Sequence, residues 1–161
     1  MTQRYLLDTN VISHLMQGRD AKLLARLTKL PVGQVAISSV TLAEIEYGIQ
    51  RRGSPTKLRN ALSQVMLHMD VLPWDAAAAT CYGELCSSLE SQGINLSDFD
   101  MMIAAHAVTL KATLVSRDKA FVNIPKNGSI ATNDVTPTGT TYGTPVADPT
   151  NPVLGNGAAS S

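Results

Sequence analysis

The stretch Arg4-Tyr5-Leu6-Leu7-Asp8-Thr9-Asn10 sets the reading of the whole chain. Arg4 to Leu7 is a short apolar strand, and an acid follows it at once. Outward from there, helical patterns and short apolar runs alternate. Val11–Met16 and Asp20–Lys29 read as helices, the second with Leu24, Leu27 and Leu30 at helical spacing. Val35–Ser38 reads as a second strand after the punctuation of Pro31 and Gly33. Thr41–Arg51 is helical. Ser54-Pro55 predicts a helix start, with Ser as N-cap and Pro at the first helical position. That helix runs to about residue 67. His68–Leu72 is a third strand, and Pro73-Trp74-Asp75 opens an Ala-rich helix to about Ser91, closed by Gly93. Ser97 opens a helix through Leu110, Thr113–Val115 is a fourth strand, and a short turn or helix follows Asp118. Strands separated by helices predict a short, mostly parallel sheet covered on both faces, an α/β fold.

Composition bounds the function. The 161 residues are enough for one domain that buries roughly two-thirds of its unfolded surface. Residues 1–125 carry the alternating pattern. Residues 126–161 are rich in Thr, Pro, Gly, Asn and Ser, a composition too poor in apolar surface to offset ordering entropy, and they read as a flexible tail. No apolar run approaches the roughly 20 residues of a membrane span. No apolar stretch with a small-residue cleavage site follows the N-terminus, and Cys81 and Cys86 lie on different faces of one helix. Two reduced thiols and a cytoplasmic location are expected. A net charge of zero speaks against a protein that coats nucleic acid generally. It is compatible with an acidic site framed by basic groups, and two basic clusters are available: Arg51, Arg52, Lys57, Arg59, and Lys111, Arg117, Lys119.

Four acids stand out by position. Asp8 and Asp118 each follow a strand, where ligands of parallel α/β sheets bind. Glu44 lies near the start of the helix after the second strand, and Asp100 near the start of the helix opened by Ser97. Each has a local explanation. Asp8 suits an N-cap or Asx-turn, Thr41/Glu44 and Ser97/Asp100 suit capping boxes, and Asp118 suits a turn. Glu46 is about 200° round the helix from Glu44 and cannot share its direction. Asp98 competes with Asp100, although the helix dipole alone accounts for an acid there. Taken together, parallel strands bring all four to one sheet edge. Crowded carboxylates repel and their pKa values rise, a conflict that a hard divalent cation removes. Metal-assisted phosphodiester hydrolysis follows as the expected chemistry. The rivals lack residues: His14, His68 and His106 show no zinc spacing, no phosphate-binding Gly-rich loop is present, and His106 reads as a packed core residue.

At these residues the sequence resembles the PIN-domain ribonucleases, specifically the VapC-type toxins of bacterial toxin–antitoxin pairs. The matching pieces are Leu6-Leu7-Asp8-Thr9-Asn10, Ile37-Ser38-Ser39-Val40-Thr41-Leu42-Ala43-Glu44 with Tyr47-Gly48, Asp100-Met101-Met102-Ile103-Ala104-Ala105-His106-Ala107, and Thr113-Leu114-Val115-Ser116-Arg117-Asp118-Lys119-Ala120-Phe121 with Ile124-Pro125. The resemblance implies a PIN-like three-layer fold and an acidic metal site of Asp8, Glu44, Asp100 and Asp118. It selects Asp100 over Asp98 and Glu44 over Glu46. It implies Mg²⁺ (Mn²⁺ substituting), endonucleolytic cleavage of RNA, a homodimer, and inhibition by a cognate antitoxin that places a basic or aromatic side chain in the acidic pocket. Thr9, Asn10 and Ser116 are accessory positions. The chain departs from the pattern after Ile124-Pro125, where the family's short strand and closing aromatic are not visible. The last edge strand is then either missing or rebuilt from Ser129 to Thr132. Two other readings remain on the sequence alone: a PIN nuclease of housekeeping RNA processing, and an interaction module that keeps the fold without catalysis.

Overall fold

A computed structural model describes residues 4–118, 120 and 121, and the backbone of 131–132 and 140–141. Its elements are β1 (Tyr5–Leu7), α1 (Thr9–Met16), α2 (Ala21–Leu27), β2 (Val35–Ser38), α3 (Ser39–Arg51), α4 (Thr56–Met66), β3 (Asp70–Leu72), α5 (Ala76–Ser91), α6 (Asp98–Thr109), β4 (Thr113–Ser116), β5 (Ala131–Thr132) and β6 (Thr140–Thr141). The sheet order is β3-β2-β1-β4-β5, with every one of these pairs parallel. β6 joins the outer edge of β4 antiparallel. Parallel pairing requires a crossover between neighbours, and among β1 to β4 the helices supply it.

Alternation along the strands divides the core. Leu6, Ala36 and Leu114 face one way and pack with Leu89 of α5, Met101, Ile103, Ala104 and Ala107 of α6, and Phe121. Leu7, Val35, Ile37 and Val115 face the other way, against α1 to α4 through Val11, Ile12, Leu23, Ile45, Ile49 and Leu62. Both sheet faces are therefore buried, which is why β2 and β4 are buried at every position, their polar Ser38, Thr113 and Ser116 included. The result is the expected three-layer α/β arrangement.

Three local expectations are corrected. α3 starts at Ser39, directly from β2, because the Ser38 hydroxyl accepts the Val40 N–H at 3.2 Å and caps it. Thr41 is therefore inside the helix, fully buried, and forms no capping box with Glu44. Glu44 falls on the second turn, one turn later than the sequence indicated. Ser54 does not cap α4. It sits at φ 53°, and its hydroxyl accepts from Arg59 Nε at 2.9 Å, so Pro55 takes the N-cap position without a side-chain bond. Third, the Thr-rich tail, given no element by composition, adds β5 and β6. The backbone groups on the outer edge of β4 need partners, and β-branched Thr suits a strand. Ala131–Thr132 lies within the stretch where a rebuilt edge strand was placed. The rest of the tail reading lies outside the described residues.

Candidate active site

β1 and β4 end side by side, and the acids of the two ends are joined through Ser116. The Asp8 N–H donates to the Val115 carbonyl at 3.0 Å, the last rung between the strands. One carboxylate oxygen of Asp8 then caps α1, accepting the Val11 N–H at 2.8 Å. The other accepts a short hydrogen bond from the Ser116 hydroxyl. Ser116 Oγ in turn accepts the Asp118 N–H at 2.9 Å, and Asp118 Oδ1 accepts the Ala120 N–H at 2.8 Å. The local explanations for Asp8 and Asp118 are thus both true, and the two acids still meet.

Glu44 and Asp100 arrive on helices. The Thr9 hydroxyl donates to Glu44 Oε1 at 2.6 Å, tying α3 to the start of α1. Ser97 caps α6: its Oγ accepts the Asp100 N–H at 3.2 Å and donates to Asp100 Oδ2 at 2.8 Å. Trp74 helps seat α6 beside α3, since its N–H donates to Ser39 Oγ and its Nε1–H to the Met102 carbonyl, both at 3.0 Å. A buried bond does the same below it, with His106 Nδ1 2.8 Å from Ser38 Oγ. Ser38 Oγ also accepts the Val40 N–H, so one hydroxyl holds both the start of α3 and the His106 ring. Burial lowers the His106 pKa, against an opposing effect of Asp75. The core assignment of His106 holds, and its bond to Ser38, 68 residues away, is the feature that sequence missed.

The electrostatics connect the four acids. Burial raises the Asp8 pKa from 3.8 to about 6; its bonds from Ser116 and Val11 hold it back, while the charges of Asp100 and Asp118 push it further up. Burial also raises Glu44, with the Thr9 bond opposing and Asp100 adding to the rise. Asp100 rises for the same first reason, with Ser97 opposing and Asp118 adding. The two excluded acids behave differently. Glu46 pairs with Arg59, and Asp98 is exposed at the first turn of α6. Asn10 is exposed, so the structure brings Thr9 and Ser116 to the acids but not the Asn10 side chain in the same way. Three of the basic residues are committed elsewhere: Arg59 to Glu46, Arg51 over the Tyr47 ring at 5.7 Å, and Arg117 to Asp20. An open cleft of about 490 Å³, solvent space included, runs beside Glu44 and Thr9 between α1, α3 and α4, and Arg52 lines its rim.

The donor set is chemically that of a hard divalent cation, all carboxylate oxygen with hydroxyls behind it. As the side chains stand, no three His, Cys, Asp or Glu among the described residues are gathered closely enough to hold a metal ion. The bonds to Val11, Ser116, Thr9 and Ser97 hold three of the acids in place, and the charges of Asp100 and Asp118 are still felt at their neighbours. The set fits a divalent cation in the kind of its donor atoms. Thr41, three residues before Glu44, adds a buried hydroxyl without a partner among the described residues.

The comparisons with known proteins agree with this geometry. The PIN domain profile matches residues 5–127, and the chain belongs to that family. It is 31% identical over 123 residues to a Rickettsia felis protein named ribonuclease VapC2, covering 75% of this chain and 92% of the relative. It is 36% identical over 104 residues to the Shigella flexneri tRNA(fMet)-specific endonuclease VapC, covering 65% and 78%. Among solved structures it is similar to VapBC2 from Rickettsia felis bound to a DNA fragment from their promoter, with TM-score 0.69, 30% identity and coverage of 76% and 94%. Among the described residues no helix is long and apolar enough to cross a membrane.

Proposed function

We propose that this chain is a divalent-metal-dependent endoribonuclease, the toxin of a toxin–antitoxin pair. The observation that carries the reading is that Asp8, Glu44, Asp100 and Asp118 come to one sheet edge, where the charges of Asp100 and Asp118 raise the Asp8 pKa, Asp100 raises Glu44 and Asp118 raises Asp100, with no basic side chain paired to any of the four by a described bond. Asp8, Glu44, Asp100 and Asp118 would hold Mg²⁺, with Mn²⁺ substituting. When bound, the cation supplies Lewis-acid stabilisation of a phosphodiester and an acidified water. The chain's own part is placement. Ser116 fixes the Asp8 carboxylate and the backbone of Asp118, Thr9 fixes Glu44, and Ser97 fixes Asp100. The Asp8 pKa, raised to about 6, keeps that acid ready to exchange a proton near neutral pH, which suits a group that must take a cation in place of a proton.

The nuclease unit proposed is residues 1–125. The relatives' names and the solved VapBC pair support RNA as substrate and an antitoxin as partner for this chain too. The open cleft beside Thr9 leaves Glu44 accessible to a side chain from that partner. A homodimer is proposed on the same likeness. The test is cleavage of a structured RNA by the purified chain with Mg²⁺ or Mn²⁺. Asp8→Asn is expected to lose it; cleavage at the full parental rate would remove Asp8 from the site. Expression should arrest growth, and co-expression of the partner should restore it.

A further inference from the structure

Arg117 lies between Ser116 and Asp118, where β4 runs out. Grouped by sequence with Lys111 and Lys119, it suits a basic rim for RNA. Its guanidinium is used differently. One amino group is ion-paired with Asp20 Oδ2, and the other lies 2.9 Å from His14 Nδ1. Both partners belong to the joint between α1 and α2. His14 is in the last turn of α1, and Asp20 is the N-cap of α2, its Oδ1 accepting the Leu23 N–H at 3.0 Å. The Arg117 and Asp20 side chains keep only 17% and 12% of their exposure, so the pair is mostly withdrawn from water. An arginine has no acceptor. His14 Nδ1 must therefore accept, which makes His14 neutral with its proton on Nε2. Partial burial and then the charges of Arg117 and Arg19 lower its pKa, against a smaller opposing effect of Asp20.

The residues on either side turn this pair into a fixture of the acidic site. Ser116 is bonded to Asp8, and Asp118 to Ser116 and Ala120. Residues 117 and 118 lie beyond the strand, so no ladder holds them. Three consecutive side chains are anchored in three directions: to β1, to the α1–α2 joint, and to the turn ahead. A buried Arg–carboxylate pair of this kind is a stiff link, because separating it leaves a charge in a poorly solvated place.

We propose that Arg117 is a positioning residue: its pair with Asp20, completed by neutral His14, ties the end of β4 to the α1–α2 joint and sets the place of the Asp118 carboxylate relative to Asp8. This rests on the reading of Asp8 and Asp118 as metal acids. Losing a group bonded directly to a ligand typically costs about 10–100-fold in metal affinity or activity, and Arg117, which acts one step further out through the backbone before Asp118, belongs at the lower end of that range.

The full chain with Mn²⁺ alone as calorimetric probe provides the test, with RNA cleavage measured beside it. Arg117→Gln and Asp20→Asn, whose Asn can still cap α2, should each weaken Mn²⁺ binding about tenfold and lower kcat with KM little changed. The double variant should be no worse than either single one, and Arg117→Lys should recover part of the loss. If Arg117→Gln does not fold, Asp20→Asn carries the test by itself. A raised KM with a flatter salt dependence and parental Mn²⁺ affinity would make Arg117 an RNA contact and overturn the proposal. Asp118→Asn separates the two levels. Parental Mn²⁺ affinity in that variant would remove Asp118 from the metal site whatever Arg117 does. Weakened affinity there, with Arg117→Gln and Asp20→Asn unaffected, would overturn the positioning role alone.

Discussion

The strand-borne and the helix-borne acids of the site are held in different ways. Asp8, at the end of β1, is 3% exposed, with one oxygen on a backbone N–H and the other on a hydroxyl. Glu44 on α3 and Asp100 on α6 are half-buried, and each leans on one hydroxyl, Thr9 or Ser97. A strand end is fixed by ladder bonds on both sides, so a carboxylate placed there is committed before any ligand arrives. A helix-borne carboxylate keeps rotamer freedom and can close on a cation. In the proposed metal site, Asp8 would be the anchor and Glu44 and Asp100 the adjustable donors.

The comparison can be broken most directly at Asp8. Asparagine there can keep the Val11 and Ser116 bonds while losing the charge. RNA cleavage by Asp8→Asn should fall at least about a hundredfold, more than for an outer partner. The same substitution should stabilise the metal-free protein at neutral pH. The Asp8 pKa is raised in the folded state, so the sign is the reverse of an ordinary salt-bridged acid. Its contribution is fully present below pH 3.8 and is lost as pH rises through about 6. The rise corresponds to at most about 3 kcal/mol. Urea unfolding at pH 4 and 7.5 should show the parent losing stability across that window and Asp8→Asn losing much less. Parallel curves would mean that the Asp8 carboxylate is not destabilised by burial.

Smaller effects should sharpen the contrast. Ser116→Ala removes the hydroxyl that holds the Asp8 pKa down, so the acid limb of the pH–rate profile should move to higher pH. An unchanged limb would assign that limb to another group. Ser97→Ala should cost about 1 kcal/mol of stability, as for other N-cap losses, read as a lower urea midpoint with an unchanged slope. Thr9→Val, which leaves Glu44 on its helix, should have the mildest effect on stability and act mainly on the Mn²⁺ midpoint.

Much of this was legible locally. Asp20, Asp75 and Ser97 were read at helix starts and are N-caps, because the side chain that caps is only three residues from the N–H it accepts. His106 was readable as core from its place beside Met102 and Ile103. The start of α3 was misread because Ser38 serves both as the last residue of β2 and as the cap, so no spacer marks the boundary. Ser54 was misread because its hydroxyl is taken by Arg59, and Asp100 could not be separated from Asp98 by chemistry, since both sit in one helical turn.

By itself the sequence determined the alternation of strands and helices, the parallel sheet it implies, and the candidacy of Asp8, Glu44, Asp100 and Asp118. These depend on periodicity and on residues a few positions apart. Only the tertiary structure decided that Ser116, 108 residues from Asp8, bonds its carboxylate, and that Arg117 turns from an RNA rim to Asp20, 97 residues away. It also set Glu46 against Arg59, away from the acids. The physical reason is that a carboxylate's chemistry is set by its burial and by the charges and hydroxyls around it. In a parallel sheet those neighbours come from strands far apart in the chain.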